Sequence, residues 1–238
     1  MWFFSKKTIP IPLAVEIVVE VHNHVLPGVD DGAATMQEAL QMMFFWAEMG
    51  YQKVVATPHQ NTYMNPTTEQ IETSYQKLTS QIQEQEIPIF LTTAAEYLIE
   101  PELKDRIPHL RTFGPKRYVL VELDFWHLPV WWERILFDLQ AAEYTPVLAH
   151  PERYEYADRE LLRKWYERGL PLQINLLSLA NAYGKKAVHA AEYLLEKGWV
   201  SFVGSDMHRP AQIPAVREAL QHKLLRKRLS SFLNPTLL

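Results

Sequence analysis

Seven short apolar runs recur along the chain, and helical patterns fill most of the intervals between them. The runs are Ile17-Val18-Val19, Lys53-Val54-Val55-Ala56, Pro88-Ile89-Phe90-Leu91, Tyr118-Val119-Leu120-Val121, Pro146-Val147-Leu148-Ala149, Leu172-Gln173-Ile174 and Val200-Ser201-Phe202-Val203. Their length and β-branched content are those of buried strands. Apolar residues at i, i+3, i+4 spacing, such as Met36, Ala39, Leu40, Met43, Phe44 and Ala47, predict a helix over 35–49. Thr35 with Glu38 makes a capping box at its start, and Gly50 supplies its stop. Further helices are expected over 67–86, 131–142, 158–168, 185–197 and 214–230, with an irregular stretch around 101–108. Strands alternating with helices require a parallel sheet with helical crossovers. The expected fold is therefore α/β: a single-domain, distorted (β/α)7 TIM-like barrel. No glycine-rich dinucleotide fingerprint follows the first run, which weighs against an open doubly wound sheet.

A chain of 238 residues suits one such barrel, with residues 1–15 as a lead-in and 16–238 as the domain. The net charge is −4 with both signs interspersed, so no nucleic-acid surface is expected. Cysteine is absent, which excludes a thiolate nucleophile, disulfides and Cys-bound zinc together. Trp2-Phe3-Phe4 gives way at once to Ser5-Lys6-Lys7, too short an apolar stretch for a signal peptide or a membrane span. A cytoplasmic location is expected.

The functional signal lies in where the polar residues fall. His22 and His24, His59, Glu96, Glu122, His150, and Asp206 with His208 each stand at the C-terminal end of a predicted strand. In a parallel barrel those ends converge on one face. Five of the nine histidines sit there; His109, His127, His189 and His222 do not. Burying such a cluster without cations would be costly. Pro27-Gly28 turns the chain so that Asp31 swings back towards it, with Asp30 as a turn residue. These nine candidate ligands exceed what one ion uses, so two or three metal ions are expected, with Glu96 able to bridge. The nitrogen and oxygen donors suit Mn, Fe or Zn. Arg153, three residues after His150, and Arg209, directly after His208, offer planar guanidinium groups for phosphate. Metals beside arginines point to phosphoester hydrolysis, with Asp206 or a neighbouring histidine managing protons. The aromatic segment Phe125-Trp126-His127 with Trp131-Trp132 either walls the site or packs a helix. Asn175 either orients a ligand or satisfies backbone groups. Tyr183, in the next loop, is not assigned to the site.

His22-Asn-His24, Leu26-Pro-Gly-Val-Asp-Asp-Gly32, Ala56-Thr-Pro-His59, Ala95-Glu-Tyr97, Val121-Glu122, Ala149-His-Pro-Glu-Arg-Tyr154 and Ser205-Asp-Met-His208 together resemble one pattern. It is that of the PHP-domain protein-tyrosine phosphatases of bacterial capsule and exopolysaccharide operons. The resemblance implies the PHP barrel, a trinuclear site often loaded with Mn2+ (Fe, Zn and Mg being alternatives), and hydrolysis of phosphotyrosine. Its implied partner is the tyrosine-rich tail of a membrane-associated bacterial tyrosine kinase. Carried over by motif, the metal ligands are His22, His24, Asp31, His59, Glu96, Glu122, His150, Asp206 and His208. Arg153 matches the phosphate-binding arginine, and Arg209 matches a second one by neighbourhood only. Glu20 stands where the family's first motif usually has Asp, a residue expected to orient a ligand or catalytic group from behind. Two alternatives remain: a small-molecule phosphoesterase of histidinol-phosphate type, and a regulatory module that binds phosphotyrosine with little turnover.

Overall fold

The computed structural model describes residues 17–238; the lead-in 1–15 and Glu16 lie outside the described residues. Nine strands follow in chain order: β1 (Val19–Glu20), β2 (Lys53–Ala56), β3 (His59–Gln60), β4 (Phe90–Thr93), β5 (Glu96–Leu98), β6 (Tyr118–Glu122), β7 (Thr145–Ala149), β8 (Leu172–Asn175) and β9 (Val200–Gly204). The main helices are α1 (Met36–Glu48), α2 (Thr68–Glu84), α3 (Leu103–Arg106), α4 (Trp132–Ala141), α5 (Arg159–Glu167), α6 (Leu176–Leu179), α7 (Lys185–Lys197), α8 (Ile213–Ala219) and α9 (Lys223–Arg228).

Every strand pairing is parallel, as the alternation requires. The expected closed barrel does not form as one continuous ladder. The strands make a three-stranded sheet, β1-β2-β4, and a six-stranded sheet, β3-β5-β6-β7-β8-β9. Two of the expected strands are followed, after a break, by a short strand beyond the expected run. Pro58 has no N–H to give to a ladder and separates β2 from β3. Ala94–Ala95 separates β4 from β5, while the bonds Ala94 N to Ala56 O (2.8 Å) and Glu96 N to Pro58 O (3.0 Å) carry the pairing across both breaks. β1 is shorter than expected because Val18 adopts φ 44°, a left-handed conformation that a β-branched residue tolerates poorly.

The remaining seam lies between β1 and β9, which share no ladder. Side chains join them instead. Asn234, fully buried, donates to Val19 O (2.9 Å) and Val203 O (2.8 Å) and accepts from Val203 N (3.0 Å). Further along, one carboxylate oxygen of buried Glu20 accepts from the N–H groups of His22 (2.8 Å) and Ser205 (3.0 Å). At the strand ends the backbones meet: Asp206 N donates to His22 O (2.7 Å), His24 N donates to Met207 O (3.0 Å), and Asn23 bridges Met207.

Side-chain periodicity then sets the layers. Val54, Leu91, Val119, Val121, Leu148 and Ile174 pack towards the helices in the larger core. Val19, Val55, Leu120, Val147 and Phe202, from both sheets, pack against one another in a smaller inner core. The same period-two files continue upward: Leu120 to Glu122, Phe202 through Gly204 to Asp206, Val55 through Thr57 to His59, and Ala94 to Glu96. Apolar residues thus fill the lower interior, and ionisable ones take over at the C-terminal strand ends.

The helices carry the expected apolar faces, with local differences. The full capping box forms at Thr67 and Gln70 of α2. At α1, Thr35 accepts from Glu38 N (3.2 Å), but the Glu38 carboxylate reaches Ala34 N (2.7 Å), one residue earlier than a capping box requires. The helix expected over 214–230 divides into α8 and α9, because His222 is extended (ψ 128°) and starts a new helix. Replacing Asn234 with Ala is expected to leave three buried backbone groups unpaired. At about 1–3 kcal/mol each, the variant should lose on the order of 3 kcal/mol or more, read from the urea unfolding midpoint. A loss under about 1 kcal/mol would show that the β1–β9 seam does not depend on this side chain.

Candidate metal centre

Backbone geometry builds the site first. His150 (φ 33°, ψ 53°) and Asp206 (φ 54°) are non-glycine residues in the left-handed region, at the ends of β7 and β9. Such conformations cost of order 1–3 kcal/mol each and persist only where surrounding structure holds them. Two close approaches also need glycine. A Cβ on Gly204 would stand 2.5 Å from His22 Cβ, and one on Gly32 would stand 2.1 Å from His24 O. Between the two histidines, Asn23 donates to Val55 O (2.9 Å) and shares three further bonds with Thr57, which pins this strand end to the end of β2.

All nine expected ligands come together. They form four overlapping groups whose donor atoms lie within 4.8 Å of one another. These are His24, Asp31, His59 and His208; His22, His150 and Asp206; His22, His24 and Glu96; and His59, Glu96 and Glu122. Glu96 Oε2 is 3.2 Å from His22 Nε2, 3.5 Å from His24 Nε2 and 3.2 Å from His59 Nδ1. Asp206 Oδ1 lies 3.4 Å from both His22 Nε2 and His24 Nε2. His22 Nε2, His24 Nε2, His59 Nδ1, Glu96 Oε2 and His150 Nδ1 are buried without a hydrogen-bond partner. Leaving so many polar atoms orphaned would be costly, and all five belong to residues of the ligand groups, so the donor set fits bound cations.

The far ring nitrogens are already held. His24 Nδ1 bonds Asp30 Oδ2 (2.7 Å), His22 Nδ1 bonds Gln173 Oε1 (2.8 Å), and His208 Nδ1 bonds Asp206 O (3.0 Å). Each contact turns the other nitrogen, Nε2, into the acceptor a metal needs. Asp30 is therefore more than the expected turn residue. Its carboxylate also accepts from Gly32 N (3.0 Å) and His59 N (3.0 Å). Gln173 and Asp30 were not singled out as site residues in the sequence. Gln173 has one readable signal, a polar residue inside an otherwise apolar strand run. Glu20 reaches the site through backbone alone among its hydrogen bonds: it accepts from the N–H groups of His22 itself and of Ser205, next to Asp206. Burial, opposed by its bonds to the Ser205 and His22 N–H groups, pushes its carboxyl up to about 7.

Asp206 Oδ2 accepts from Arg153 Nη1 (2.6 Å), Asn175 Nδ2 (2.6 Å) and Tyr183 Oη (3.2 Å). Glu152, buried, accepts from Asn175 N (2.8 Å) and Ser178 Oγ (2.7 Å), so the turn carrying Arg153 is tied to α6. A cavity of about 320 Å³ opens over the cluster, with Arg153 on one side and Met64, Leu98, Leu123 and Phe125 as apolar lining. Among the described residues lining it, Arg153 is the only arginine or lysine. Arg209 is not brought to the cavity. Gln212 accepts from the N–H groups of His208 and Arg209, and the Arg209 guanidinium turns outward to within 3.5 Å of Glu38. Of the aromatic segment, Phe125 lines the cavity, Trp132 packs against Trp165, and Trp126 is exposed.

Charge completes the description. Burial pulls the His22 imidazole down, yet the Glu96 and Asp206 carboxylates outweigh it and raise it from 6.5 to about 9. His24 and His59 are raised as well, against the burial that opposes their charge. Glu96 and Asp206 are held well below the usual carboxylate range, burial again being overcome, chiefly by His22. Without cations the cluster balances itself with protons. A raised histidine contributes stability that is complete below pH 6.5 and lost as pH rises through about 9. Cations must displace those protons. Metal titration at pH 7 should therefore release protons, and apparent affinity should climb between pH 6.5 and 9. Calorimetry in buffers of contrasting ionisation enthalpy reads this directly, and binding with no proton release would contradict it.

Residues 18–233 match the family model described as capsular polysaccharide synthesis, CpsB/CapC. The tyrosine-protein phosphatase YwqE of Bacillus subtilis (strain 168) is 32% identical over 197 residues, covering 80% of this chain and 77% of that protein. A solved chain from the work on YwqE of Bacillus subtilis and CpsB of Streptococcus pneumoniae, described as unique metal-dependent tyrosine phosphatases, superposes with a TM-score of 0.77. It is 26% identical and covers 92% of this chain and 93% of its own. The histidinol phosphate phosphatase of Lactococcus lactis, solved with zinc, L-histidinol and phosphate, shares the fold at a TM-score of 0.50 and 13% identity, over 85% of this chain and 92% of its own.

Proposed function

The chain belongs to the CpsB/CapC family of capsular polysaccharide synthesis, and from that premise we propose that it is a metal-dependent protein-tyrosine phosphatase, a phosphoric monoester hydrolase. One observation carries the reading: nine ligand-type side chains converge beneath a cavity that holds one clamped arginine and an apolar wall. His22, His24, Asp31, His59, Glu96, Glu122, His150, Asp206 and His208 would hold two or three ions. Mn2+ is our choice among Mn, Fe, Zn and Mg, for a site of imidazole and carboxylate donors without sulfur. Such ions supply positive charge that activates water and neutralises phosphoryl oxygens.

The chain's own groups do the rest. Arg153 uses one hydrogen bond on Asp206 and keeps further donors for the non-bridging phosphate oxygens, whose charge it stabilises. Asp206 would hold ions and Arg153 and, with a neighbouring histidine, manage protons, a role supported by its place in the ligand groups and its bond to Arg153 Nη1. Little proton donation is needed, because the leaving tyrosine oxygen has a pKa of only about 10. Met64, Leu98, Leu123 and Phe125 give the aryl ring an apolar wall, a feature an aliphatic ester such as phosphoserine would not use. Arg209, paired outward with Glu38, takes no part in this scheme.

Residues 16–238 are read as one catalytic unit, a distorted (β/α)7 barrel. The order of its strand runs and the Asn23–Met207 bridge across the β1–β9 seam support this. The substrate protein is proposed to be the tyrosine-rich tail of a membrane-associated bacterial tyrosine kinase, met in the cytoplasm. Among the described residues no helix is long and apolar enough to cross a membrane. Metal-replete protein is expected to hydrolyse a phosphotyrosine peptide and to ignore its phosphoserine counterpart. EDTA should abolish turnover, and His150→Ala should lower it roughly 10–100-fold or more. Faster cleavage of histidinol phosphate than of the peptide would overturn the substrate assignment, and binding without turnover would overturn the enzyme reading.

A further inference from the structure

The proposed phosphate-binding arginine is held on three sides. Its Nη1 bonds Asp206 Oδ2 (2.6 Å), the Phe125 ring lies 4.6 Å from its Cζ, and the Tyr183 ring lies 3.9 Å away. Phe125 is itself fixed by stacking on His150, with ring centroids 5.5 Å apart. Tyr183 comes from further away, in the loop between α6 and α7. That loop is bent back by two left-handed residues on either side of it, Asn181 (φ 59°) and Gly184 (φ 86°). Just beyond it, the start of α7 is tied to the loop after Arg153 by the ion pair between Lys186 Nζ and Glu155 Oε2 (2.9 Å). The Tyr183 hydroxyl reaches the same Asp206 oxygen (3.2 Å) that Arg153 uses.

We propose that Tyr183 is a positioning residue for Arg153: its ring, over which the Arg153 Cζ lies at 3.9 Å, fixes the guanidinium plane in the orientation that meets the substrate phosphate. The inference rests on the reading of Arg153 as the phosphate-binding group. A free arginine side chain has several rotatable bonds, and one hydrogen bond fixes one nitrogen without fixing the plane. Packing against the Phe125 and Tyr183 rings restricts the remaining rotation, so the fork is set before substrate arrives. The need is acute here because Arg153 is the only arginine or lysine among the described residues lining the cavity. No second guanidinium or ammonium group among these lining residues shares the task with it. The hydroxyl bond is secondary, since Asp206 Oδ2 also accepts from Asn175 and from Arg153 itself.

The test uses metal-loaded protein and inorganic phosphate as the probe, measured both as a competitive product inhibitor and by equilibrium binding. Tyr183→Phe keeps the ring and loses the hydroxyl; Tyr183→Leu keeps apolar bulk and loses the ring face. The Phe variant should bind phosphate within about two-fold of wild type, and the Leu variant roughly five- to ten-fold more weakly. KM for a phosphotyrosine peptide should rise in step, while metal content by elemental analysis and the thermal midpoint stay unchanged. Wild-type phosphate binding by the Leu variant would overturn the proposal. So would equal weakening of the Phe and Leu variants, or loss of bound metal in either. Arg153→Lys separates the two levels. If it weakens phosphate binding while Tyr183→Leu does not, this inference alone fails; if it changes nothing, the reading of Arg153 fails with it.

Discussion

The structure depends on one seam. β1 leads to His22 and His24, β9 leads to Asp206 and His208, and these strands share no ladder, so nothing in ordinary sheet pairing sets their distance. Two buried side chains replace the missing pairing. Asn234 satisfies the backbone of Val19 and Val203 low in the interior, and Glu20 gathers the N–H groups of His22 and Ser205 one step below the ligands. A side-chain staple fixes separation without demanding strand geometry. That leaves Val18 and Asp206 free to adopt left-handed backbone on either side of it. The strain at Asp206 turns its carboxylate towards both first-strand histidines while its own N–H stays bonded to His22 O.

Above the seam, charge governs. Imidazoles and carboxylates crowd together at 3.2–3.5 Å in a largely buried region at the floor of the cavity, where unpaired charge is expensive. Two stable answers exist: protons on the histidines, or cations among them. The raised histidines and depressed carboxylates are the signature of the first answer, and the orphaned Nε2 atoms aimed at a common centre are provision for the second. Asp30, Gln173 and the Asp206 carbonyl work for both, because holding the far ring nitrogens fixes the rings in either state.

Much of this was legible in the sequence, for identifiable reasons. Parallel pairing followed from the alternation of strand and helix patterns, and the convergence of the ligand-type residues from their shared position at strand ends. What resisted reading was local. The break after Thr57 was foreshadowed by Pro58, but the break at Ala94–Ala95 carries no such mark. The division of 214–230 at His222 turns on one extended residue inside an otherwise helical pattern. Arg209 and Arg153 look equivalent on paper, each close behind a ligand histidine. One is drawn outward by Glu38, the other inward by Asp206, a choice made by residues far away in the chain.

By itself, then, the sequence determined the parallel α/β architecture, the side of the sheets on which the polar residues gather and the chemical type of the donor set. It could do so because strand period and strand end are local properties of the chain. Only the tertiary structure decided how the sheets close, which arginine faces the cavity, and what Glu20, Asp30, Gln173 and Tyr183 do. Each of those outcomes depends on a contact between distant segments. Asn234 with Val19, Glu20 with Ser205 and Tyr183 with Asp206 are such contacts, and burial and hydrogen-bond satisfaction select them only once the chain is folded. His22-Asn23-His24 shows both levels at once: its spacing is readable as a ligand pair, and its partners are not.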